Sequence, residues 1–275
     1  MSWTTRLEKL DRRWLFLAMG ILVMVPLIYP AGLPLKVSPP VRSFYDTIEK
    51  LPNGSTVLMS CDYDPSARPE MVPMTMTAFR HLLSKDCKVI VTVLWNAGPG
   101  LVEATLNEVA AEFPNKAYGV DWVNLGYKAG DDAVMVLMGQ GIKSAFPRDH
   151  RGTPSGEIPV LRNVRDYASF PLLVNISAGF PGTKEWVQQV QSRFHLPMVS
   201  GCTAVSAPEY YPYLQSGQLL GLLGGMAGAA EYELIRQEKG SATRGMDAQS
   251  LAHIFVALCI VLGNVVQRLK RREAA

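Results

Sequence analysis

Strand–helix alternation repeated four times between two apolar runs predicts a Rossmann-like, doubly wound, mostly parallel α/β sheet of about five strands, flanked by two transmembrane helices. Two further observations point the same way. The segment 88–95 (KVIVTVLW) is a β-branched run with no polar face, the pattern of a central parallel strand. Basic residues also gather outside the apolar runs, with Arg6, Lys9, Arg12 and Arg13 before the first and Arg268, Lys270, Arg271 and Arg272 after the last.

Residues 1–13 form a basic tail. Residues 14–35 (WLFLAMGILVMVPLIYPAGLPL) carry no charge, and about 20 helical residues at about 1.5 Å each cross a hydrocarbon core of about 30 Å. Trp14 and Tyr29 stand where interfacial aromatics belong, while Pro26 and Pro30 kink or end the helix. Residues 36–55 form a tether punctuated by Pro39, Pro40 and Pro52, with a short helix near 42–51.

The α/β domain is expected over 56–204. Strands are predicted at 56–61 (TVLMSC), 88–95 (KVIVTVLW), 122–127 (WVNLGY), 171–177 (PLLVNIS) and 197–203 (PMVSGCT). Helices alternate with them at 71–85, 100–113, 131–146 and 183–194. Asp131 and Asp132 suit the positive end of the third helix dipole, and Thr183 caps the fourth. Residues 147–170 break the rhythm as a long polar insertion.

Segment 205–245 is read as a Gly-rich helical segment. Gly217, Gly221 and Gly225 recur every four residues, and Gly224 and Gly228 repeat that interval. Such a stripe lets two backbones approach closely, which makes Gly217, Gly221, Gly225 and Gly228 the candidate interface. A second transmembrane helix is expected over 250–267, where LAHIFVALCIVLGNVV contains only His253 and Asn264 as polar interruptions, followed by the basic tail 268–275. The positive-inside rule then places both termini in the cytoplasm and the domain outside it.

Composition narrows the function. Of 275 residues, 48% are apolar, which supports a packed core, and the net charge of +3 is too small to mark a nucleic-acid binder. The expected partners are membrane lipid and either other membrane proteins or a second copy, met through the Gly-rich helix. Cys61, Cys87, Cys202 and Cys259 include no CxxC and no zinc-finger spacing, so buried free thiols are expected.

In open α/β sheets, ligands bind beyond the carboxyl ends of the strands. That rule collects Asp62 and Asp64 after the first strand, Trp95 and Asn96 after the second, Lys128 after the third, Ser177 and Gly179 after the fourth, and Thr203 after the fifth. Asp62-Tyr63-Asp64 is the sharpest item, because two carboxylates there could hold Mg²⁺ or attack a phosphate. The triplet resembles the first motif of haloacid-dehalogenase-type phosphatases over about ten residues. That resemblance implies Asp62 as nucleophile and Asp64 as acid/base, with Ser177, Lys128 and Asp131 as further candidates. The sequence departs from the pattern in Pro65-Ser66 and in the position of Lys128. A metal-nucleotide D-x-D, as in sugar transferases, is another reading. The plainer one is that both aspartates shape a turn before Pro65.

No GxSxG elbow, Walker A loop or HExxH is present, and Cys61, Cys202 and His150 make no complete catalytic set. The leading expectation is a membrane-anchored, non-catalytic binding or scaffolding subunit. The rivals are a membrane-bound, Mg²⁺-dependent phosphohydrolase or transferase using Asp62, Asp64 and Lys128, and a receptor for a small solute near Asp62, Trp95 and Lys128.

Overall fold

A computed structural model describes residues 11–238 and 240–273. The chain divides into two compact units, one running from Leu35 to Ala242 and the other combining the residues before it with those from Thr243 onward.

The Leu35–Ala242 unit is built on six strands: β1 (Thr56–Asp62), β2 (Lys88–Val93), β3 (Trp122–Tyr127), β4 (Leu173–Ser177), β5 (Met198–Cys202) and β6 (Leu222–Gly224). All neighbours run parallel, in the order β3-β2-β1-β4-β5-β6. This is the Rossmann-like strand order, and its topological switch point lies between β1 and β4. Each parallel pairing needs a crossover, which is why helices cover both faces and the strands are buried almost throughout. One face packs Leu58, Ile90, Val123, Leu173, Met198 and Leu222 into a single core cluster.

In chain order the helices of this unit begin, after α1 (Arg12–Ile28) of the other unit, with α2 (Pro39–Glu49), α3 (Arg68–Ser84) and α4 (Pro99–Ala110). Each opens on proline near its first turn, where a missing N–H costs nothing. The expected helix over 131–146 is two pieces, α5 (Asp131–Gln140) and α6 (Ile142–Ala145), divided at Gly141. α7 (Thr183–Trp186) continues through a π-turn at Val187–Gln191. α8 (Ala207–Gln215) and α9 (Gly225–Ile235) complete the unit.

The Gly-rich segment differs from its sequence expectation. It contains α8, the sixth strand and α9, so the four glycines share no helical stripe. Gly217 lies in a turn at φ +76° and Gly225 opens α9 at φ +61°. Gly221 precedes β6 with no room for a side chain against the Phe44 backbone. Gly228 packs on Leu223. These close approaches occur inside the unit, where they seat α2 and α9 against the sheet edge. The physical reason for the helical misreading is that three strand residues, Leu-Leu-Gly, are too few to show a period of two.

In the second unit, α1 ends at Ile28 rather than at 35, because Pro30, Gly32 and Pro34 follow. Its 17 residues reach about 25 Å, short of a hydrocarbon core. Among the described residues one helix is long and apolar enough to cross a membrane, the Ser241–Leu269 stretch of α10 (Ser241–Glu273). The expectation of two full spans is corrected to one. Buried Asp247 of α10 accepts hydrogen bonds from the backbone N–H groups of Gly32 (2.9 Å) and Leu33 (3.1 Å), which ties the segment after α1 to α10.

Candidate functional site

The carboxyl edge at the switch point is occupied by a buried polar network centred on Asp62. Its Oδ2 accepts from Ser60 Oγ (2.6 Å), Trp186 Nε1 (2.8 Å) and Asn175 Nδ2 (3.1 Å), and its Oδ1 accepts from the Leu94 backbone N–H (2.8 Å). Asn175 Oδ1 in turn accepts from Ser177 Oγ (2.9 Å), Thr183 Oγ1 (3.1 Å) and Ser200 Oγ (3.3 Å). The strand period of two explains the convergence. Ser60 and Asp62, Asn175 and Ser177, and Ser200 occupy alternate positions on one face of adjacent strands, paired in register as Ser60–Asn175–Ser200 and Asp62–Ser177. Thr183 and Trp186 come down onto them from α7.

Asp62 is fully buried, and burial pushes its carboxyl up to about 6, against the opposing pull of its four donors. With both oxygens engaged and none exposed, it presents nothing to solvent for nucleophilic attack or metal binding in this arrangement. Asp64 shares no partner with it. The Asp64 carboxylate accepts from Ser66 N (2.8 Å) and Ser66 Oγ (2.6 Å), capping the short 3₁₀ turn at Pro65–Ala67. These bonds hold Asp64 below the usual carboxylate range. Among the described residues, no group of three or more His, Cys, Asp or Glu side chains is placed to hold a metal ion.

The other edge residues disperse. Trp95 is half-buried and lies against Gly179, where an added Cβ would sit 3.0 Å from its ring. Asn96 is exposed. Thr203 Oγ1 donates to Ser206 Oγ (3.0 Å) at the start of α8. Lys128 stands beyond β3, at least two strand spacings from Asp62, or roughly 10 Å. Cys61 and Cys202 are buried, and burial raises both thiols, Cys202 to about 12, far from thiolate character.

A second feature of the same edge lies at β3. A cavity of about 520 Å³ is lined by Pro99, the end of β3 and residues 145–150. The wall at 147–155 is fastened in place. Asp149 accepts from Tyr118 Oη (2.8 Å) and from the backbone N–H groups of Arg151 (3.0 Å) and Thr153 (2.7 Å). The His150 N–H donates to the Asn124 carbonyl (2.9 Å), and Arg151 lies over the Tyr118 ring while donating to Glu103 (2.9 Å). Gly126, at φ +79°, permits the closeness, since a Cβ there would stand 3.3 Å from His150.

Asn175, Ser200, Ser60 and Trp186 had no place in the sequence expectation, although alternating polar residues within apolar strands were a readable signal. Arg148 also went unremarked, because a loop residue has no period to reveal its direction.

No family model matches this chain, and no curated protein matches it. Several solved structures show a distant likeness. The trehalose-6-phosphate synthase OtsA superposes with a TM-score of 0.31 at 11% identity, over 92% of this chain and 49% of that one. An α,α-trehalose-phosphate synthase (UDP-forming) from Burkholderia vietnamiensis gives 0.33 at 11% identity, over 94% and 51%. The homocysteine methyltransferase MmuM from Escherichia coli gives 0.25 at 14% identity, over 71% and 99%. The chain thus spans about half the length of the synthases it matches, and likeness at this level carries no functional argument.

Proposed function

We propose that this chain is a membrane-anchored binding or scaffolding subunit whose α/β domain is non-catalytic. The observation that carries the reading is the surface of α10. Ile254, Val256, Leu258, Ile260, Val261, Leu262 and Val265 are all exposed, and they fall all round the helix rather than on one stripe. A helix apolar on every side needs an apolar solvent. Moving seven such side chains out of water favours the bilayer by on the order of 10 kcal/mol.

The N-terminal helix α1 joins it as a shorter companion. Trp14, Phe16, Leu17, Ile21, Met24 and Ile28 are exposed, and the Asp247 tie links its exit segment to α10. A helix of about 25 Å is accommodated by local bilayer thinning or interfacial placement. The basic outer flanks favour both termini in the cytoplasm and the α/β domain on the opposite side. The saturated hydrogen bonding of Asp62 supports a structural role for that residue and thus a binding domain over a hydrolase.

Flotation with phosphatidylcholine vesicles tests this. The full chain should rise with the vesicles, and a chain lacking both 12–28 and 250–275 should stay at the bottom. Equal behaviour of the two would defeat the proposal.

A further inference from the structure

We infer that the cavity beyond β3 is a binding site for a small organic anion, a carboxylate or phosphate monoester with an apolar body, recognised by Lys128, Arg148 and His150. The inference rests on the reading of the domain as a binding module and names its ligand class.

Charge carries the first part. The cavity is lined by three basic side chains and one acid. The acid is spent, because Asp149 is buried and already accepts from Tyr118 Oη and two backbone N–H groups. Among the described residues, the Lys128 ammonium and the His150 ring have no hydrogen-bonding or ion-pair partner. The guanidinium of Arg148 donates only to the Gly152 carbonyl (2.7 Å), which leaves most of its donors unpaired and no carboxylate beside it. Three basic residues around one concavity, Lys128 half-buried and Arg148 and His150 exposed, are the complement of an oxyanion.

Shape carries the second part. Pro99, Leu125 and Phe146 add apolar residues to the lining, and about 520 Å³ far exceeds the volume of a bare inorganic anion while falling within the range of small-molecule pockets. The wall is also held ready. Its anchors (Asp149 to Tyr118, Arg151 to Glu103, and His150 N–H to Asn124 O) do not use the recognising groups, so binding demands little reordering. The position agrees with the rule that α/β sheets bind ligands beyond their carboxyl ends.

Isothermal titration of the full chain in nonionic micelles, with phenyl phosphate as the probe and benzyl alcohol as its uncharged counterpart, tests the inference. The intact chain should bind phenyl phosphate and not benzyl alcohol. Lys128→Gln and Arg148→Gln should each weaken binding about tenfold or more, as loss of a charge-assisted hydrogen bond does. Lys184→Gln, on α7, should leave it unchanged. No heat with phenyl phosphate at millimolar concentration, or equal affinity in the Lys128→Gln/Arg148→Gln double variant, would overturn the site. Circular dichroism of each variant guards against unfolding. Vesicle flotation of the same samples is independent of the cavity, so failure of the anion site and failure of the membrane reading are separate results.

Discussion

Replacing Asp62 by Asn removes the one carboxyl group at the centre of the switch-point network while keeping its size. The native carboxyl sits at about 6, pushed up chiefly by burial, against about 3.9 in an unfolded chain. The folded state therefore holds its proton more tightly between those values, and the contribution of Asp62 to stability falls as pH rises from about 4 to about 6, then levels. The gap corresponds to roughly 3 kcal/mol. His81 acts in the opposite sense. Buried between Tyr232 Oη (2.6 Å) and Glu49 (3.0 Å), its imidazole is lowered to about 4, mainly by desolvation, so its contribution is lost as pH falls from about 6.5 to 4. The two nearly cancel in the intact chain, and only the difference between intact and variant protein isolates Asp62. Urea unfolding of the full chain in micelles, followed by tryptophan fluorescence from pH 4 to 7, should show the stability difference, intact minus Asp62→Asn, dropping by roughly 3 kcal/mol. A difference that stays level, or rises with pH, would refute the account of Asp62 as a carboxylate held against its burial.

Three further outcomes are expected. His81→Asn should give the mirror result in the same titration, the difference rising by roughly 3 kcal/mol from pH 4 to 7. Trp186→Phe deletes the indole N–H that reaches Asp62 and should cost about 1.5–3 kcal/mol at pH 7, read from the shift in urea midpoint at unchanged slope. Gly182→Ala forces a Cβ into the Gly179 carbonyl at the start of α7 and should destabilise by about 2 kcal/mol or more, whereas Gly100→Ala, with open space around it, should be nearly silent.

The α/β core was legible because its strands and helices carry strong periods. KVIVTV and WVNLGY fall on β2 and β3 at or within two residues of their expected bounds, and the helix after β4 begins at Thr183, although Gly182 and not Thr183 is its cap: the Thr183 hydroxyl turns inward to Asn175 and Ser200 instead. The sixth strand was hidden by its three-residue length and by glycines whose interval mimicked a helical stripe. The first apolar run was overextended because hydropathy ignores where proline and glycine stop a helix. At the carboxyl edge, Asp62 stood out for its type and place, yet its partners Asn175 and Trp186 lie 113 and 124 residues away. Sequence spacing cannot show whether a carboxylate faces solvent or four donors. The same limit applies to Lys128, whose neighbours Arg148 and His150 arrive on an insertion without periodicity.

Cys259 offers the most direct measurement of whether hydrocarbon surrounds α10. It is the one cysteine of the four that is not buried within the fold, and it lies inside the apolar stretch. With the chain reconstituted in sealed vesicles, a membrane-impermeant maleimide added with gentle permeabilisation of both sides should leave Cys259 unlabelled, and detergent solubilisation should open it to reaction. Rapid labelling in the same permeabilised vesicles, at the rate seen in detergent, would place that helix in water and contradict the anchoring role.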